Sequence, residues 1–266
     1  MIPNVIHLTF GFSPDFGGKE FSLVHYVCLR SMVAVNEPDR VYLYYAYEPS
    51  GPWWDRALEL VTPVRVEPPT SIGGVPISHP AHQSDVVRLE KLLEHGGIYL
   101  DMDILCVRPF DDLLDAGVVL GEQAGTVDGK LTIDGLCNAV ILARPGAPFL
   151  RRWLDGFDPA TSLWSGFRST GRDELWDEMS VQYPAHLARL HPDEVTVKSW
   201  RSFFWPSWRE EDRRALFVDD DPGDFPGAYC HHLWETLAWR DHLADLTPKS
   251  IKEGTSRFCV LAQQYI

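Results

Sequence analysis

No stretch of this sequence approaches the roughly 20 consecutive apolar residues that a helix needs to cross a bilayer. Basic residues are in short supply, with 24 Lys and Arg against 38 Asp and Glu, a net charge of −14. So acidic a surface, with a pI near 5.1, disfavours bulk nucleic acid and anionic membranes as partners. An anionic substrate would need a local cation, either an arginine or a metal. The five cysteines, Cys28, Cys106, Cys137, Cys230 and Cys259, form no CxxC pair and are odd in number. They read as unpaired thiols of a reducing compartment. The opening MIPNVIHLTFG lacks the basic start and long apolar core of a signal peptide. A cytoplasmic protein is therefore expected. No internal repeat or low-complexity linker divides the chain.

What is present suits an ordinary globular protein. The 266 residues are 45% apolar and 23% charged, enough for one large domain or two closely joined halves. Residues 4–10, NVIHLTF, read as a strand, and the apolar spacing over 20–35 predicts a helix. RVYLYYAY (40–47) is a strand by composition, WWDRALELV a short helix, and VRVE (64–67) another strand. This alternation predicts an α/β domain with a largely parallel sheet. Beyond residue 110, CNAVILAR (137–144) reads as a strand and PFLRRWLDGF as a helix. The aromatic tract 198–210 reads as irregular, ALFV (215–218) as a short strand before the acidic turn DDDPGD, and the end as a basic, polar tail. A soft division falls near residue 110.

The stretch GGIYLDMDILCV (96–107) is the most informative. Strand alternation puts Ile98, Leu100, Met102 and Ile104 on one apolar face and Tyr99, Asp101 and Asp103 on the other. Two carboxylates aimed at one spot repel unless one is protonated or a cation lies between them. Hard divalent ions such as Mg²⁺ or Mn²⁺ prefer such oxygen ligands, often together with substrate phosphates. The preceding helix starts, on its capping signals, at Ser84. From Asp85 to His95 it would be about 16 Å long, and the strand from Gly97 to Asp101 climbs back about as far. If Gly96-Gly97 reverses the chain, Asp85 and Arg88, three apart on one helix face, return to the aspartates.

The arrangement S-D-x-x-R-L-x-x-L-x-x-x-G-G-I-Y-x-D-x-D closely resembles the DXD-containing sugar transferases of glycosyltransferase family 32. It is also similar to the catalytic domains of large clostridial glucosylating toxins. The opening IPNVIH, Asn138 in CNAVILARPGAPFL and the late HHLWETLAW carry weaker likenesses to the same family. The resemblance implies a GT-A fold, a nucleotide-sugar donor (UDP- or GDP-linked), Mn²⁺ or Mg²⁺, and retention of anomeric configuration. By position it implies that Asp103 ligates the metal, with help from Asp101 and His232. Asp101 would also meet the ribose or sugar, and Asp85 and Arg88 would grip the transferred sugar. His7, Thr9 and Phe10 would lie near the base, Tyr99 and Asn138 near the nucleotide sugar, and Trp234 over the diphosphate. Residues 1–110 would bind the donor. Residues 111–266 would bind an acceptor, which could be a glycan, a lipid-linked sugar, a protein or a small molecule. Two departures stand out. The family's first-strand tryptophan is Phe10 or absent, and Leu237-Ala238-Trp239 replaces its serine-containing segment.

Two other readings compete. DMDIL resembles the nucleophile motif of haloacid dehalogenase phosphatases, with Asp101 as nucleophile and Lys198 as the later lysine. It leaves Asp85, Arg88 and the Gly-Gly turn without a role. A non-enzymatic sugar or metal binder is the third reading, although DDDPGD lacks EF-hand spacing. His79 and His82, in HPAH, read as loop histidines. The tryptophans at 200, 205 and 208 read as packing residues before they read as a sugar platform.

Overall fold

The computed structural model describes residues 1–72, 74–158, 160–164, 177–219 and 225–266. β-branched and aromatic runs form β1 (Val5–Thr9), β2 (Arg40–Tyr45) and β3 (Thr62–Arg65), interleaved with helices α1 (Leu23–Asn36) and α2 (Pro52–Ala57). A two-stranded hairpin, β4 (Ser71–Ile72) and β5 (Val75–Pro76), precedes α3 (Pro80–His95), which leads into β6 (Gly97–Leu100) and β7 (Ile104–Cys106). The second half carries the long hairpin β8 (Val118–Val127) and β9 (Lys130–Ala143), then α4 (Pro148–Asp155), α5 (Tyr183–Leu190), β10 (Thr196–Lys198), α6 (Trp200–Phe203) and α7 (Glu210–Phe217). It ends with β11 (Cys230–His232), α8 (Glu235–Ala238), α9 (Pro248–Glu253) and α10 (Arg257–Ala262).

Seven strands make the central sheet in the order β10-β8-β9-β6-β1-β2-β3. Four of the six pairings are parallel, and only β9, between β6 and β8, runs against its neighbours. Alternation splits each strand between two cores. Ile98, Leu100, Val140 and Leu142 face one core, shared with α1 and α10. Tyr99, Ile141 and Ala143 face the other, shared with α3 and α4. The α/β reading and its mostly parallel sheet hold.

Four local expectations change. α3 begins at Pro80, not Ser84, because Pro suits the first helical position and the His79 ring accepts the Ala81 N–H at 3.2 Å as cap. His82 is therefore a helix residue, not a loop histidine, while His79 stays just outside the helix as its cap, and Ser84 and Asp85 are buried in the helix body. The strand from Gly97 does not run through to Val107. Asp101 makes the last ladder bond, to Ala139, and its carbonyl then accepts the Ile104 N–H at 3.1 Å in a tight turn. The ALFV segment lies mostly in α7, whose first turn of Glu210, Glu211 and Asp212 favours a helix start. The tail is no loose polar end: Ile251, Phe258 and Ala262 of α9 and α10 enter the first core. Most of DDDPGD, residues 220–224, lies outside the described residues.

Candidate active site

Two glycines set the geometry. Gly96 and Gly97 take φ of 65° and 119°, which non-glycine residues rarely adopt. A Cβ on Gly97 would lie 2.4 Å from the Val5 carbonyl oxygen, and one on Gly96 would lie 2.5 Å from Pro145. The chain can reverse here only because both side chains are missing. The reversal brings α3 alongside β6 and returns Arg88 to the aspartates.

Arg88 is buried and central. Its Nη1 donates to the Asn138 carbonyl at 2.9 Å and lies 3.3 Å from Asp101 Oδ1. Its Nη2 donates to Ser84 Oγ at 3.1 Å and lies 3.2 Å from Asp85 Oδ1. The guanidinium also covers the Tyr99 ring at 4.3 Å, a cation–π contact. Asn138 Nδ2 donates to Asp85 Oδ1 at 2.7 Å. Burial pushes the Asp85 carboxyl up to about 6, with Arg88 and Asn138 opposing.

Three hydroxyls close a ring around this arginine. Ser84 and Thr9 oxygens are 2.8 Å apart, Thr9 and Tyr99 oxygens 2.6 Å, and the Tyr99 hydroxyl donates to Asp101 Oδ1 at 2.8 Å. Arginine only donates and a carboxylate only accepts, so every proton in the ring is fixed. Tyr99 gives its proton to Asp101, Thr9 to Tyr99, and Ser84 to Thr9. Burial raises the Tyr99 hydroxyl far above its ordinary range, which keeps it a donor.

Asp101, Asp103 and His232 offer ligand atoms that all lie within 4.8 Å of one another. His232 comes from β11, whose pairing with β7 sets His232 opposite Ile104. Its Nε2 lies 3.2 Å from Asp103 Oδ2. The same oxygen accepts the Glu235 backbone N–H at 2.8 Å, presented by Trp234 in a left-handed turn (φ 54°). Burial alone would raise the Asp103 carboxyl, but His232 and the Glu235 N–H bring it down to about 2. Burial would lower the His232 imidazole, but Asp103 outweighs it and the net shift is upward. Two carboxylates and one imidazole, one carboxylate held ionised, suit a hard divalent cation. The Asp pair therefore converges through a turn, not through the strand alternation expected of it.

A cavity of about 480 Å³ opens beside the cluster, lined among others by Thr9, Phe10, Phe16, Lys19, Ser84 and Glu235. His7 does not line it. Both His7 ring nitrogens are committed, to Tyr44 Oη at 3.0 Å and the Gly96 carbonyl at 2.8 Å. Trp234 packs on His232, ring centroids 4.0 Å apart, and donates to the Pro206 carbonyl. Sequence reasoning read Ser84 only as a cap and passed over Phe16, Lys19 and Glu235. Glu235 lies inside HHLWETLAW and could have been found there. Lys198 stands on β10, at the far edge of the sheet from the β6–β1 junction. Asp101 is tied to Arg88 and Tyr99, so the phosphatase reading gains nothing here.

A mostly parallel sheet with paired aspartates at the carboxyl end of a central strand, where open α/β sheets take ligands, is the arrangement expected of a glycosyltransferase of GT-A architecture. Residues 26–119 match the family described as the glycosyltransferase sugar-binding region containing the DXD motif. Over 273 aligned residues the chain is 36% identical to Glucan organizing enzyme 1 of Cryptococcus neoformans, covering 100% of this chain and 71% of that protein. It is also 34% identical over 89 residues to Subversion of eukaryotic traffic protein A of Legionella pneumophila, covering 33% of this chain and 13% of the other. The chain belongs to the DXD-containing glycosyltransferase family. The solved glycosyltransferase GlyE of Streptococcus pneumoniae shares the fold, with a TM-score of 0.50 at 13% identity, over 99% of this chain and 60% of that one. No helix among the described residues is long and apolar enough to cross a membrane.

Proposed function

We propose that this glycosyltransferase is metal-dependent and retaining, and moves a sugar from a UDP- or GDP-linked donor to an acceptor hydroxyl. The observation that carries the reading is the convergence of Asp101, Asp103 and His232 beside the Arg88–Asp85 pair. Asp103, Asp101 and His232 would hold Mn²⁺ or Mg²⁺, which would offset the charge of the leaving diphosphate. Arg88 and Asp85 grip the transferred sugar. Among the described residues the buried Arg88 Nε–H meets no acceptor, and a sugar hydroxyl oxygen would satisfy it. Asp85 sets an oxygen near the developing glycosyl cation, oriented by Asn138. Thr9 and Phe10 take the base end of the donor, and Tyr99 fixes Asp101. Trp234 covers the diphosphate, while His7, its ring nitrogens held by Tyr44 and the Gly96 carbonyl, positions β1 beneath the base end. Retention rests on the family resemblance, and the site needs no hydrolase-type acid pair.

Residues 1–110 supply the donor site and residues 111–266 the acceptor side, apart from Asn138, His232 and Trp234, which serve the donor. The five cysteines are all unpaired and buried, which fits a reducing compartment such as the cytoplasm. The name of the 36%-identical relative refers to glucan, so glucan oligosaccharides head the acceptor panel.

The test is donor hydrolysis and transfer across a panel of UDP- and GDP-sugars, with Mn²⁺ and with chelator. Wild type should turn over at least one donor with Mn²⁺. Chelation, or Asp103→Asn, should lower the rate by about 100-fold or more, the scale expected when a main electrostatic group is lost. Undiminished turnover under chelation would sink the mechanism.

A further inference from the structure

The cavity beside the aspartates carries a cation to which the reading above gives no role. Lys19 follows the glycine pair 17–18 and lines the cavity together with Glu235 and Asp15. Among the described lining residues it is the one ammonium or guanidinium. We propose that Lys19 contacts the donor's phosphates, held over the cavity by Glu235. The proposal rests on the nucleoside-diphosphate reading.

Three observations carry it. First, the Thr9 and Ser84 hydroxyls have no proton to offer an anion. Thr9 and Ser84 line the cavity, but their protons are spent inside the hydroxyl ring, to Tyr99 and Thr9 respectively. What remains on both oxygens is lone pairs, which accept from ligand O–H or N–H groups and repel phosphate. Second, Lys19 has donor capacity to spare. Its Nζ lies 3.4 Å from both Glu235 Oε2 and Thr236 Oγ1, two long contacts for a group with three N–H donors. Glu235 does not depend on it alone. The Ser22 N–H donates to His25 Nδ1 at 2.9 Å, so His25 Nε2 carries the proton and donates to Glu235 Oε1, also at 2.9 Å. Third, Lys19 is tethered at the right place. Glu235, its partner, gives its backbone N–H to Asp103. The cavity thus offers lone-pair acceptors at Thr9 and Ser84 and one ammonium donor at Lys19, whose carboxylate neighbours Asp15 and Glu235 already accept from the Gly17 N–H and from His25. A nucleoside diphosphate fits with its phosphates toward Lys19 and its hydroxyl or ring N–H groups toward Thr9 and Ser84.

The experiment is calorimetric titration of UDP and GDP, each with Mn²⁺, into wild type, Lys19→Gln, Lys19→Arg and the double variant Lys19→Gln/Glu235→Gln. Wild type should bind at least one of the two. Lys19→Gln should bind it about tenfold more weakly, the scale of one charge-assisted hydrogen bond. Lys19→Arg should recover most of the affinity. The double variant decides between contact and mere neutralisation of Glu235. If Lys19 touches phosphate, removing Glu235 as well does not restore wild-type affinity. Full restoration, or unchanged binding by Lys19→Gln, would overturn the assignment while leaving the donor reading intact. Failure of wild type to bind either diphosphate would overturn both.

Discussion

At the scale of single residues, Arg88 is the group on which most others depend. It neutralises two carboxylates, caps a backbone carbonyl and orients the hydroxyl ring through Ser84. Removing one partner of a buried ion pair leaves uncompensated charge and costs about 3–5 kcal/mol. Arg88→Ala should therefore lower unfolding stability by roughly that amount in urea titration. Arg88→Lys keeps the charge but cannot reach Asp85, Asp101, Ser84 and Asn138 together, so activity should fall even where stability largely survives. Tyr99→Phe breaks the ring at its last proton. It should cost about 1–2 kcal/mol and lower kcat about tenfold by freeing Asp101, read from paired denaturation and kinetic measurements. The Asp85–Arg88 pairing was legible in the sequence, because three-residue spacing on a helix is a local fact. The hydroxyl ring was not. Thr9 and Ser84 meet only because β6 and β1 are neighbours in the sheet and α3 packs against them, and no spacing in one segment announces that.

At the scale of elements, the turn at Gly96-Gly97 decides the site. Gly97→Ala would force a Cβ into the Val5 carbonyl and His7 at a φ of 119°. Backbone strain of this kind costs about 1–3 kcal/mol, and the displacement of β6 from α3 should lower activity further. A thermal melt with a parallel activity assay checks it, and unchanged behaviour in both would count against the turn's role. The sequence showed this turn, and most of β1, α1, β2 and α2, through glycine pairs and apolar period. It misjudged α3's start, since a Pro after a histidine reads equally as loop or as first helical residue. It ran β6 into β7, since an apolar flank looks the same whether a strand continues or turns at Asp101. The second half was harder. α7 is short and charged with one buried residue, Leu216, and its aliphatic end imitates a strand. α9 and α10 bury Ile251 and Phe258 in the core shared with α1, laid down more than two hundred residues earlier, a partner that local pattern does not reveal.

At the scale of the whole molecule, His7 links folding to pH. It joins β1 to β2 through Tyr44 and to the end of α3 through Gly96, with His95, Tyr42 and Lys91 also nearby. Burial lowers its imidazole from 6.5 to about 4, with Lys91 and His95 adding to the shift. Above pH 6.5 both folded and unfolded chains keep it neutral. Between 6.5 and 4 the unfolded chain takes a proton that the folded one refuses, so stability falls as pH falls. The loss is roughly 3 kcal/mol by pH 4 at about 1.4 kcal/mol per unit. Urea unfolding of wild type and His7→Gln at pH 7 and pH 4.5 should show a steeper loss for wild type, and parallel losses would refute the linkage. The site itself is a long-range construction: Glu235 meets Asp103 across 132 positions and Lys19 across 216. Chains are synthesised from the N-terminus, and distant contacts form late. A nascent chain thus exposes its aspartate pair well before β11 arrives with the imidazole. A chain interrupted ahead of β11 would carry the aspartate pair without His232 or the Glu235 N–H that hold Asp103, and such a truncation should transfer no sugar.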